Sequence, residues 1–256
     1  MEMNNRVAVI TGGSGGIGRA VAAAFLAEGA KGIVLADLDN DAVQAAASEL
    51  GCLGFACDVT DESQIQALTQ FALEKFGQID LFASNAGAGG EGVLTDAPNE
   101  VWQMQWDLHL MAHVYAARAV LPHMIERGEG YLLNTASAAG LLAALGSGPY
   151  TVTKAAAVKF AEFVSITHGD DGIKVSVLCP QGVNTAMAPR SLGDGQTDGI
   201  IEPEQLAQTV VESIREERFY VLPHPEVEEY VRRKGDNVDR WLTGMRRLRR
   251  DSLTPE

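Results

Sequence analysis

Residues 7–29 read VAVITGGSGGIGRAVAAAFLAEG, and this stretch decides the fold that the sequence predicts. An apolar run typical of a buried strand leads into a glycine-rich turn, and a helix with Ile17, Val21 and Phe25 on one face follows. Glycines let the backbone turn tightly and approach a ligand closely. The free N–H groups at the start of the helix then favour a phosphate group. A glycine-rich turn alone is weak evidence, but its position between strand and helix strengthens it.

The alternation of short apolar runs with longer helical patterns continues to about residue 222. The runs are continuous rather than alternating, as expected for strands buried on both faces. The sequence therefore predicts an α/β fold, a Rossmann-like doubly wound parallel sheet of about seven strands with helices on both faces. The predicted strands are 7–11, 32–36, 53–57, 79–84, 130–137, 174–179 and 218–222.

Two regions depart from this alternation. Residues 188–201 are rich in Gly, Asp and Pro and lack helical or strand periodicity, which favours a lid or a disordered segment. The tail from about residue 225 favours one or two short helices, with Trp241, Leu242, Met245 and Leu248 able to share a face. We expect one Rossmann-like catalytic domain (1–224) with a basic helical C-terminal extension (225–256).

The charge of the chain is unevenly distributed. Of the net −14, residues 231–250 contribute +6 through eight basic and two acidic side chains, which leaves −20 elsewhere. An acidic body repels nucleic acid and anionic membranes, so neither is an expected partner. The basic tail favours docking on an acidic body or a neighbouring subunit over binding nucleic acid.

The composition also indicates where in the cell the protein is expected and whether it is expected to bind a metal. The three cysteines form no CxxC pair, which indicates reduced thiols in a cytoplasmic protein and no metal site. A strand predicted from Arg6 leaves no room for a cleaved leader, and no apolar run approaches the roughly 20 residues of a membrane span.

Asp37 ends the second predicted strand, 19 residues after Gly18. A carboxylate near that spacing accepts hydrogen bonds from the ribose hydroxyls of an adenine dinucleotide and repels a 2′-phosphate. The alternative is a surface turn residue or a helix cap, since the segment DLDND suits both. The turn and the acid together favour NAD over NADP.

Further motifs give the chain a family resemblance. They are TGGSGGIG (11–18), DV (58–59), NAG (85–87), Ser137 in NTASAAG, and YTVTK (150–154), with thirteen residues from Ser137 to Tyr150. In this order and spacing, over roughly residues 6–222, the chain resembles the classical short-chain dehydrogenases/reductases. The resemblance implies an NAD-dependent oxidoreductase and a homo-oligomer, a tetramer or dimer built through the long helices flanking the fifth strand.

The resemblance also assigns roles to residues of this chain. It implies that Tyr150 is the acid/base, that Ser137 holds the substrate oxygen and that Lys154 binds the nicotinamide ribose. The implied cofactor-binding set is Gly12, Ser14, Gly16, Ile17, Gly18, Asp37, Leu38, Asp58, Val59, Asn85, Ala86, Gly87, Tyr150, Lys154, Pro180, Val183 and Thr185. The implied substrate-binding set is Ser137, Ala139, Leu145, Tyr150, Gln181 and Met187.

The chain departs from the family pattern at two positions. His109 in WDLHLMAHVY stands where the family has a fourth catalytic residue, an asparagine thought to hold a water near the lysine. Histidine can hold a water through either ring nitrogen and titrates near neutrality, so we expect a relay with altered pH dependence, weak activity, or a packed core histidine. His113, one turn later, favours packing. Gln181 replaces a glycine that follows proline in the family, and either aims a polar group at the pocket or occupies a permissive backbone position.

The chemistry explains why these residue types are needed. A tyrosine with its ordinary pKa near 10 is a poor base at neutral pH, and a nearby ammonium is expected to lower that pKa. Ser137 can hydrogen-bond the same oxygen as charge develops on it. The alternatives are purely structural: helix packing for Tyr150 and Lys154, and a residue that ends a strand for Ser137. The occurrence of these three residues together with the glycine turn favours catalysis.

The apolar segment AAGLLAALG (138–146), with Met187 and Leu192, predicts a pocket for a hydrophobic secondary alcohol or its ketone. A 3-oxoacyl thioester reductase is the alternative within the enzyme class, although an acidic body disfavours an acidic carrier protein. A non-catalytic dinucleotide-binding sensor is the alternative outside it, and His109 is the only residue that favours a sensor.

Overall fold

The structure, a computed structural model, describes residues 1–90, 92–186 and 198–253, apart from the side chain of Leu253. Seven parallel strands form one sheet in the order β3-β2-β1-β4-β5-β6-β9, and β7 pairs with β8 in parallel beside it. The predicted Rossmann-like fold is confirmed. The strands are β1 (Val7–Thr11), β2 (Gly32–Asp37), β3 (Leu53–Ala56), β4 (Leu81–Ser84), β5 (Gly130–Thr135), β6 (Ile173–Leu178), β7 (Gly182–Val183), β8 (Ile200–Ile201) and β9 (Tyr220–Val221).

Helices cover both faces of the sheet. The first, second and eighth helices pack with one apolar cluster, and the third, fifth and seventh pack with the other. The helices are α1 (Gly16–Ala27), α2 (Asn40–Leu50), α3 (Glu62–Phe76), α4 (Asn99–Trp106), α5 (Ala112–Arg127), α6 (Ala138–Leu141), α7 (Gly148–His168), α8 (Pro203–Arg215), α9 (Glu226–Asp236) and α10 (Val238–Leu253), with a π-helical turn at Asp107–Met111 and a 3₁₀ turn at Gly169–Asp171.

Local sequence signals fix the helix ends. The Asp39 side chain accepts hydrogen bonds from two N–H groups of the first turn of α2, and the Asp61 side chain caps α3 by accepting from the Ser63 N–H. Both helices stop at a glycine in the left-handed region, Gly51 at φ 68° and Gly77 at φ 78°. These caps hold the helices in register with the strands that follow them.

The strands at the centre of the sheet are buried along their whole length, as their continuous apolar runs predict. The expectation that 188–201 lacks strand structure is wrong at its end, because Ile200–Ile201 pairs with Gly182–Val183. A two-residue strand carries too few positions to show a period. Met187 and Leu192 lie outside the described residues.

The C-terminal tail forms two helices. Helix α9 contacts the body through Tyr230 and Lys234, whereas none of the described side chains of α10 is buried. The Tyr230 and Trp241 rings, one on each helix, lie 6.4 Å apart between centroids. Helix α9 therefore fastens the tail to the rest of the chain.

A cluster of charges closes the amino-terminal edge of the sheet. We call Arg6, Asp80, Arg127 and Glu129 the amino-edge cluster. The fully buried Asp80 carboxylate accepts hydrogen bonds from Arg127 (2.6 Å), from the Val7 N–H (2.8 Å) and, more weakly, from Arg6 (3.4 Å). Arg6 also makes a bidentate pair with Glu129 at 2.7 and 2.8 Å. Burial acts to raise the pKa of Asp80, but these partners more than offset it and hold that pKa below its usual value.

Three further features concern the predicted exclusions. All three cysteines are free. Across 1–90, 92–186 and 198–253, no helix is both long and apolar enough to cross a membrane. The same residues contain no cluster of three or more His, Cys, Asp or Glu side chains suited to a metal ion.

Candidate active site

The glycine-rich turn lies at the carboxyl end of β1 and opens α1. Gly12 has φ +65°, and a Cβ added there would lie 2.9 Å from the Ala86 backbone. A Cβ on Gly18 would overlap the Gly12 carbonyl. Helix α1 begins after Gly15, whose missing side chain gives its first turn no cap. The turn is therefore an uncapped helix N-terminus with close backbone approach, which suits a pyrophosphate.

Asp37 faces this turn from the end of β2. One carboxylate oxygen accepts hydrogen bonds from the Ser14 hydroxyl (2.6 Å) and the Ser14 N–H (3.0 Å), and the other accepts from the Leu38 N–H (2.8 Å). The alternative role as a helix cap belongs to Asp39 instead. A carboxylate beside the phosphate turn favours ribose hydroxyls and opposes a 2′-phosphate.

Thr11 and Asn85 tie three strand ends together, and we call them, with Thr135, the strand-end bridge. The Thr11 hydroxyl accepts from the N–H groups of Asn85 (2.9 Å) and Ala86 (3.1 Å). The Asn85 amide donates to the Thr11 carbonyl at 3.1 Å, and its oxygen accepts from the Thr135 hydroxyl at 3.1 Å. The carboxyl ends of β1, β4 and β5 therefore form one hydrogen-bonded unit beneath the predicted cofactor site.

The remaining predicted cofactor residues lie around the same edge. The Asp58 carboxylate accepts from Thr60, and Val59 is buried. The Thr185 methyl lies 2.8 Å from the position of a Cβ on Gly16, so the segment after β6 meets the start of α1. The topology thus gathers the predicted set at the switch point between β1 and β4.

Ser137, Tyr150 and Lys154 come together at the carboxyl end of β5. Ser137 caps α6 and lies 3.4 Å from the Pro180 carbonyl oxygen. Tyr150 lies in the first turn of α7, which Ser147 caps, and Lys154 follows one turn later. The Lys154 ammonium donates to the Thr135 carbonyl at 2.9 Å and lies 5.7 Å from the Tyr150 ring centroid.

Burial dominates the electrostatics of this group. It raises the pKa of Tyr150, and a hydrogen bond with Ser137 acts in the opposite direction. It also lowers the pKa of Lys154 to about 8. The pKa of Tyr150 is therefore raised and not lowered as expected, because removal of the phenolate from water outweighs the hydrogen bond with Ser137.

His109 sits in the π-helical turn and is fully buried. Its Nε2 accepts the Ala88 N–H at 3.2 Å, and its Nδ1 lies 3.0 Å from the Thr153 hydroxyl oxygen. Because Nε2 accepts, the proton of the neutral ring is assigned to Nδ1, which donates to Thr153. Both nitrogens are thus engaged by the protein, and the ring meets Tyr150 edge-on at 5.4 Å between centroids.

The expectation that His109 titrates near neutrality is wrong. Burial, followed by the charge of Lys154, lowers the pKa of His109 to about 2. The geometry matches the packed core alternative, with the ring fastening the loop after β4 to helix α7. The sequence analysis missed Thr153, which lies 44 positions from its partner and has no local signal.

His113 is also buried, as its predicted packing role requires. Burial and the Lys154 charge lower its pKa to about 3, with the Asn134 amide acting against them. Asn134 lies close enough to His113 to act on its pKa, but neither ring nitrogen of His113 nor the Asn134 amide nitrogen makes a hydrogen bond of good geometry with the residues that the structure describes. These two side chains bring uncompensated polarity next to Lys154.

The predicted substrate residues that the structure describes lie at the same edge, and Met187 is outside the described residues. Ala139 donates its N–H to the Ser137 hydroxyl at 3.1 Å, and Leu145 is half-buried. Gln181 donates its amide N–H to Asp198 at 2.7 Å. Its side chain therefore has a specific partner, which a residue that merely occupies a permissive backbone position would not need.

Comparison with known proteins settles the family. A family model described as "short chain dehydrogenase" matches residues 6–194. The chain belongs to the short-chain dehydrogenase/reductase family. The predicted family is confirmed, and as a member the chain is an oxidoreductase with a dinucleotide-binding Rossmann fold.

Relatives cover most of the chain. It is 34% identical to a 1-deoxy-11-beta-hydroxypentalenate dehydrogenase of Streptomyces exfoliatus, over 95% of this chain and 92% of the relative. It is 32% identical to a meso-2,3-butanediol dehydrogenase of Serratia marcescens, over 81% of this chain and 86% of that one. The solved structure of a short-chain dehydrogenase/reductase from Burkholderia phymatum in complex with NAD superposes with a TM-score of 0.85, at 30% identity over 93% of this chain and 96% of that one. Together with the cradle described above, this likeness supports a nicotinamide dinucleotide as the cofactor.

Proposed function

We propose that this chain interconverts a hydrophobic secondary alcohol and its ketone by NAD-dependent hydride transfer, with Tyr150 as the acid/base. The observation that carries the proposal is the convergence of Ser137, Tyr150 and Lys154 at the sheet edge that also bears the glycine turn. A structural role alone would not require a buried lysine within 5.7 Å of a tyrosine ring.

The geometry of Ser137, Tyr150 and Lys154 supports a role for each side chain in this reaction. The raised pKa of Tyr150 keeps the phenol protonated, ready to give its proton to the oxygen of a ketone. Ser137 holds that oxygen through its hydroxyl. In the oxidative direction Tyr150 takes the alcohol proton, and the Lys154 ammonium stabilises the phenolate that accepts it.

The residues present fit NAD. Gly12, Gly16 and Gly18 leave room for the pyrophosphate, Asp37 would accept from the adenosine ribose, and Lys154 would reach the nicotinamide ribose. When bound, the nicotinamide supplies the hydride acceptor or donor. The carboxylate of Asp37 supports NAD over NADP, since a 2′-phosphate would meet a like charge.

His109 serves here as a positioning residue. By bonding Ala88 and Thr153 it holds the cofactor-side loop against the helix that carries Tyr150 and Lys154. We therefore propose that its neutral ring replaces the family asparagine through packing and hydrogen bonding, without titrating.

Relatives support a small-molecule alcohol as the substrate class. The matched dehydrogenases act, by name, on 1-deoxy-11-beta-hydroxypentalenate and on meso-2,3-butanediol. The exposed apolar side chains Phe163 and Ile166 on α7 support a homo-oligomer built through this helix.

A turnover assay tests the proposal. The purified chain is mixed with NAD or NADP and a panel of secondary alcohols, with a 3-oxoacyl thioester and NADH or NADPH as a further pair, and the reduced cofactor is followed by absorbance. We expect turnover with the alcohols and NAD, and a loss of about 100- to 10,000-fold in Tyr150→Phe.

Two results would contradict the proposal. Cofactor binding without turnover of any panel member would favour a dinucleotide sensor. A Tyr150-dependent rate that is higher with NADP would refute the role given to Asp37. Tyr115→Phe, a phenol on α5 away from Ser137, is the matched control and should leave turnover unchanged.

A further inference from the structure

We propose that Gln181 selects the substrate: its side-chain carbonyl accepts a hydrogen bond from a second hydroxyl group, and the C-terminal helix α9 holds it in place. This inference rests on the proposed alcohol dehydrogenase function and narrows its substrate class to alcohols with a further hydroxyl near the reacting one.

Gln181 is next in sequence to a residue that contacts Ser137. It follows Pro180, whose carbonyl oxygen lies 3.4 Å from the Ser137 hydroxyl and accepts the Ala138 N–H at 2.9 Å. Its own backbone N–H donates to His224 at 3.2 Å, which fixes the main chain at this position. The residue is thus fastened one position away from the contact with Ser137.

A chain of hydrogen bonds sets the orientation of the Gln181 amide. Its Nε2 donates to one oxygen of Asp198 at 2.7 Å, and the Tyr230 hydroxyl donates to the other oxygen at 2.9 Å. A carboxylate accepts and does not donate, so the amide nitrogen must face Asp198. The carbonyl oxygen therefore faces away from this carboxylate.

That carbonyl oxygen is the unusual atom of the group. It is buried and has no hydrogen-bond partner among the residues that the structure describes. A buried acceptor without a partner costs free energy, and such groups are normally satisfied by protein, water or ligand. Being neutral, it suits a hydroxyl rather than an ammonium group, which would call for an opposite charge.

Helix α9 makes hydrogen bonds on two sides of Gln181. Tyr230 binds Asp198 on one side, and on the other the Lys234 ammonium donates to the Leu141 carbonyl at 2.5 Å, in the apolar segment predicted to line the pocket. Tyr230 and Lys234 are therefore positioning residues, since they act on the site through Asp198 and the main chain. This gives the C-terminal extension a role in substrate selection.

The test compares two substrates of the full-length chain with NAD, cyclohexanol and the vicinal diol of the same ring, cyclohexane-1,2-diol. In Gln181→Leu we expect the ratio of kcat/KM for the diol to kcat/KM for cyclohexanol to fall by about tenfold, because only the diol has a second hydroxyl that loses its acceptor. Tyr230→Phe should shift the same ratio in the same direction by a smaller factor, and Tyr150→Phe should abolish turnover of both.

Asn184→Leu is the matched control. Its amide also donates to a carboxylate, both oxygens of Glu202, but Asn184 is exposed and lies outside the predicted site. We expect its diol-to-alcohol ratio to equal that of the wild type. Calorimetric titration of the NAD-loaded chain with each alcohol gives a second readout that needs no turnover.

The outcomes separate this inference from the proposed function. Equal losses on both alcohols in Gln181→Leu would show a structural role and overturn the inference. An unchanged diol rate and affinity would show that water satisfies the oxygen, and would also overturn it. Absence of turnover with every alcohol would count against the proposed function, while selective loss of diol affinity in Gln181→Leu would still support the role of Gln181.

Discussion

The two edges of the central sheet treat buried polar groups in opposite ways. At the amino-terminal edge, both carboxylate oxygens of Asp80 are bonded by Arg6, Arg127 and their neighbours. At the carboxyl-terminal edge, Lys154 is buried without a carboxylate bound to it, and atoms of His113, Asn134 and Gln181 lack partners in the described part of the chain. The first edge is arranged for stability and the second carries a cost in stability that ligand binding and catalysis can use.

The largest contrast is expected from Lys154→Met at the carboxyl-terminal edge. We expect activity to fall by about 100- to 10,000-fold, since the phenolate of Tyr150 loses its ammonium. The free energy of unfolding at pH 7 should rise by about 1 to 2 kcal/mol, because burial opposes the charged lysine. Thermal unfolding and turnover of the same preparation measure both effects.

The pH dependence of this gain follows from the lowered pKa. The unfolded lysine keeps its proton up to about pH 10.5, whereas the native one loses it near pH 8. The stability advantage of Lys154→Met should therefore be full below pH 8 and shrink above it. Lys159→Met, on the exposed side of the same helix, should change neither quantity; a loss of stability in Lys154→Met alone would reverse our interpretation of this edge.

The opposite pattern is expected from Asp80→Asn at the amino-terminal edge. Removing the charge leaves Arg6 and Arg127 without their shared buried partner, so the free energy of unfolding should fall by about 3 kcal/mol. Turnover at a temperature where the variant is folded should remain near that of the wild type, because the cluster lies at the far end of the strands. Denaturant unfolding measures the first effect.

The difference in the free energy of unfolding between the wild type and Asp80→Asn should shrink at acidic pH. The native pKa of Asp80 is held below its usual value, so its contribution is present above about pH 4 and is lost as pH falls through the native pKa. Asp170→Asn, an exposed carboxylate, serves as the control for loss of one charge. Equal stability of the wild type and Asp80→Asn at pH 7 would remove the contrast between the edges.

The smallest change in the free energy of unfolding is expected from two histidines at the carboxyl-terminal edge, His109 and His113, and it should have opposite signs for the two. His113→Leu removes two buried ring nitrogens that make no hydrogen bond of good geometry in the described part of the chain, and it should raise the free energy of unfolding at pH 7 by about 1 kcal/mol. His109→Leu should lower it by about 1 to 2 kcal/mol, because the N–H of Ala88 and the hydroxyl of Thr153 each lose a partner. Parallel denaturant curves measure the pair.

The same pair gives a pH test. Both native pKa values are lowered, to about 2 for His109 and about 3 for His113, whereas the unfolded ring binds a proton below about 6.5. Each histidine therefore destabilises the native chain as pH falls below 6.5, by about 2 kcal/mol at pH 5. Relative to the wild type, His113→Leu should gain stability between pH 7 and pH 5; a constant difference would refute the lowered pKa.

Much of the carboxyl-terminal edge was predictable because its signals are local in sequence. The glycine turn, the Asp37 strand end, and the helical spacing of Tyr150 and Lys154 are patterns within a few residues, and the strand order places them together. The central strands were predictable for the same reason, since burial on both faces requires continuous apolar runs.

What escaped prediction depends on long-range contacts and on burial. Thr153 meets His109 across 44 positions, and Tyr230 meets Asp198 across 32, so no local pattern announces either pair. The departure of His109 from neutral titration follows from a buried environment that a single sequence does not display. The chemistry of the pocket was therefore harder to predict than its location.

The strand-end bridge has a consequence for the thermodynamics of cofactor binding. Because Thr11 holds the N–H groups of Asn85 and Ala86, and Asn85 binds Thr135, hydrogen bonds within the protein order the loop beside the glycine turn. Its conformational entropy is lost when the chain folds and not when the dinucleotide arrives. Amide hydrogens of Asn85 and Ala86 should thus exchange with solvent as slowly as those of the strands, and the entropy of cofactor binding should contain little contribution from this loop.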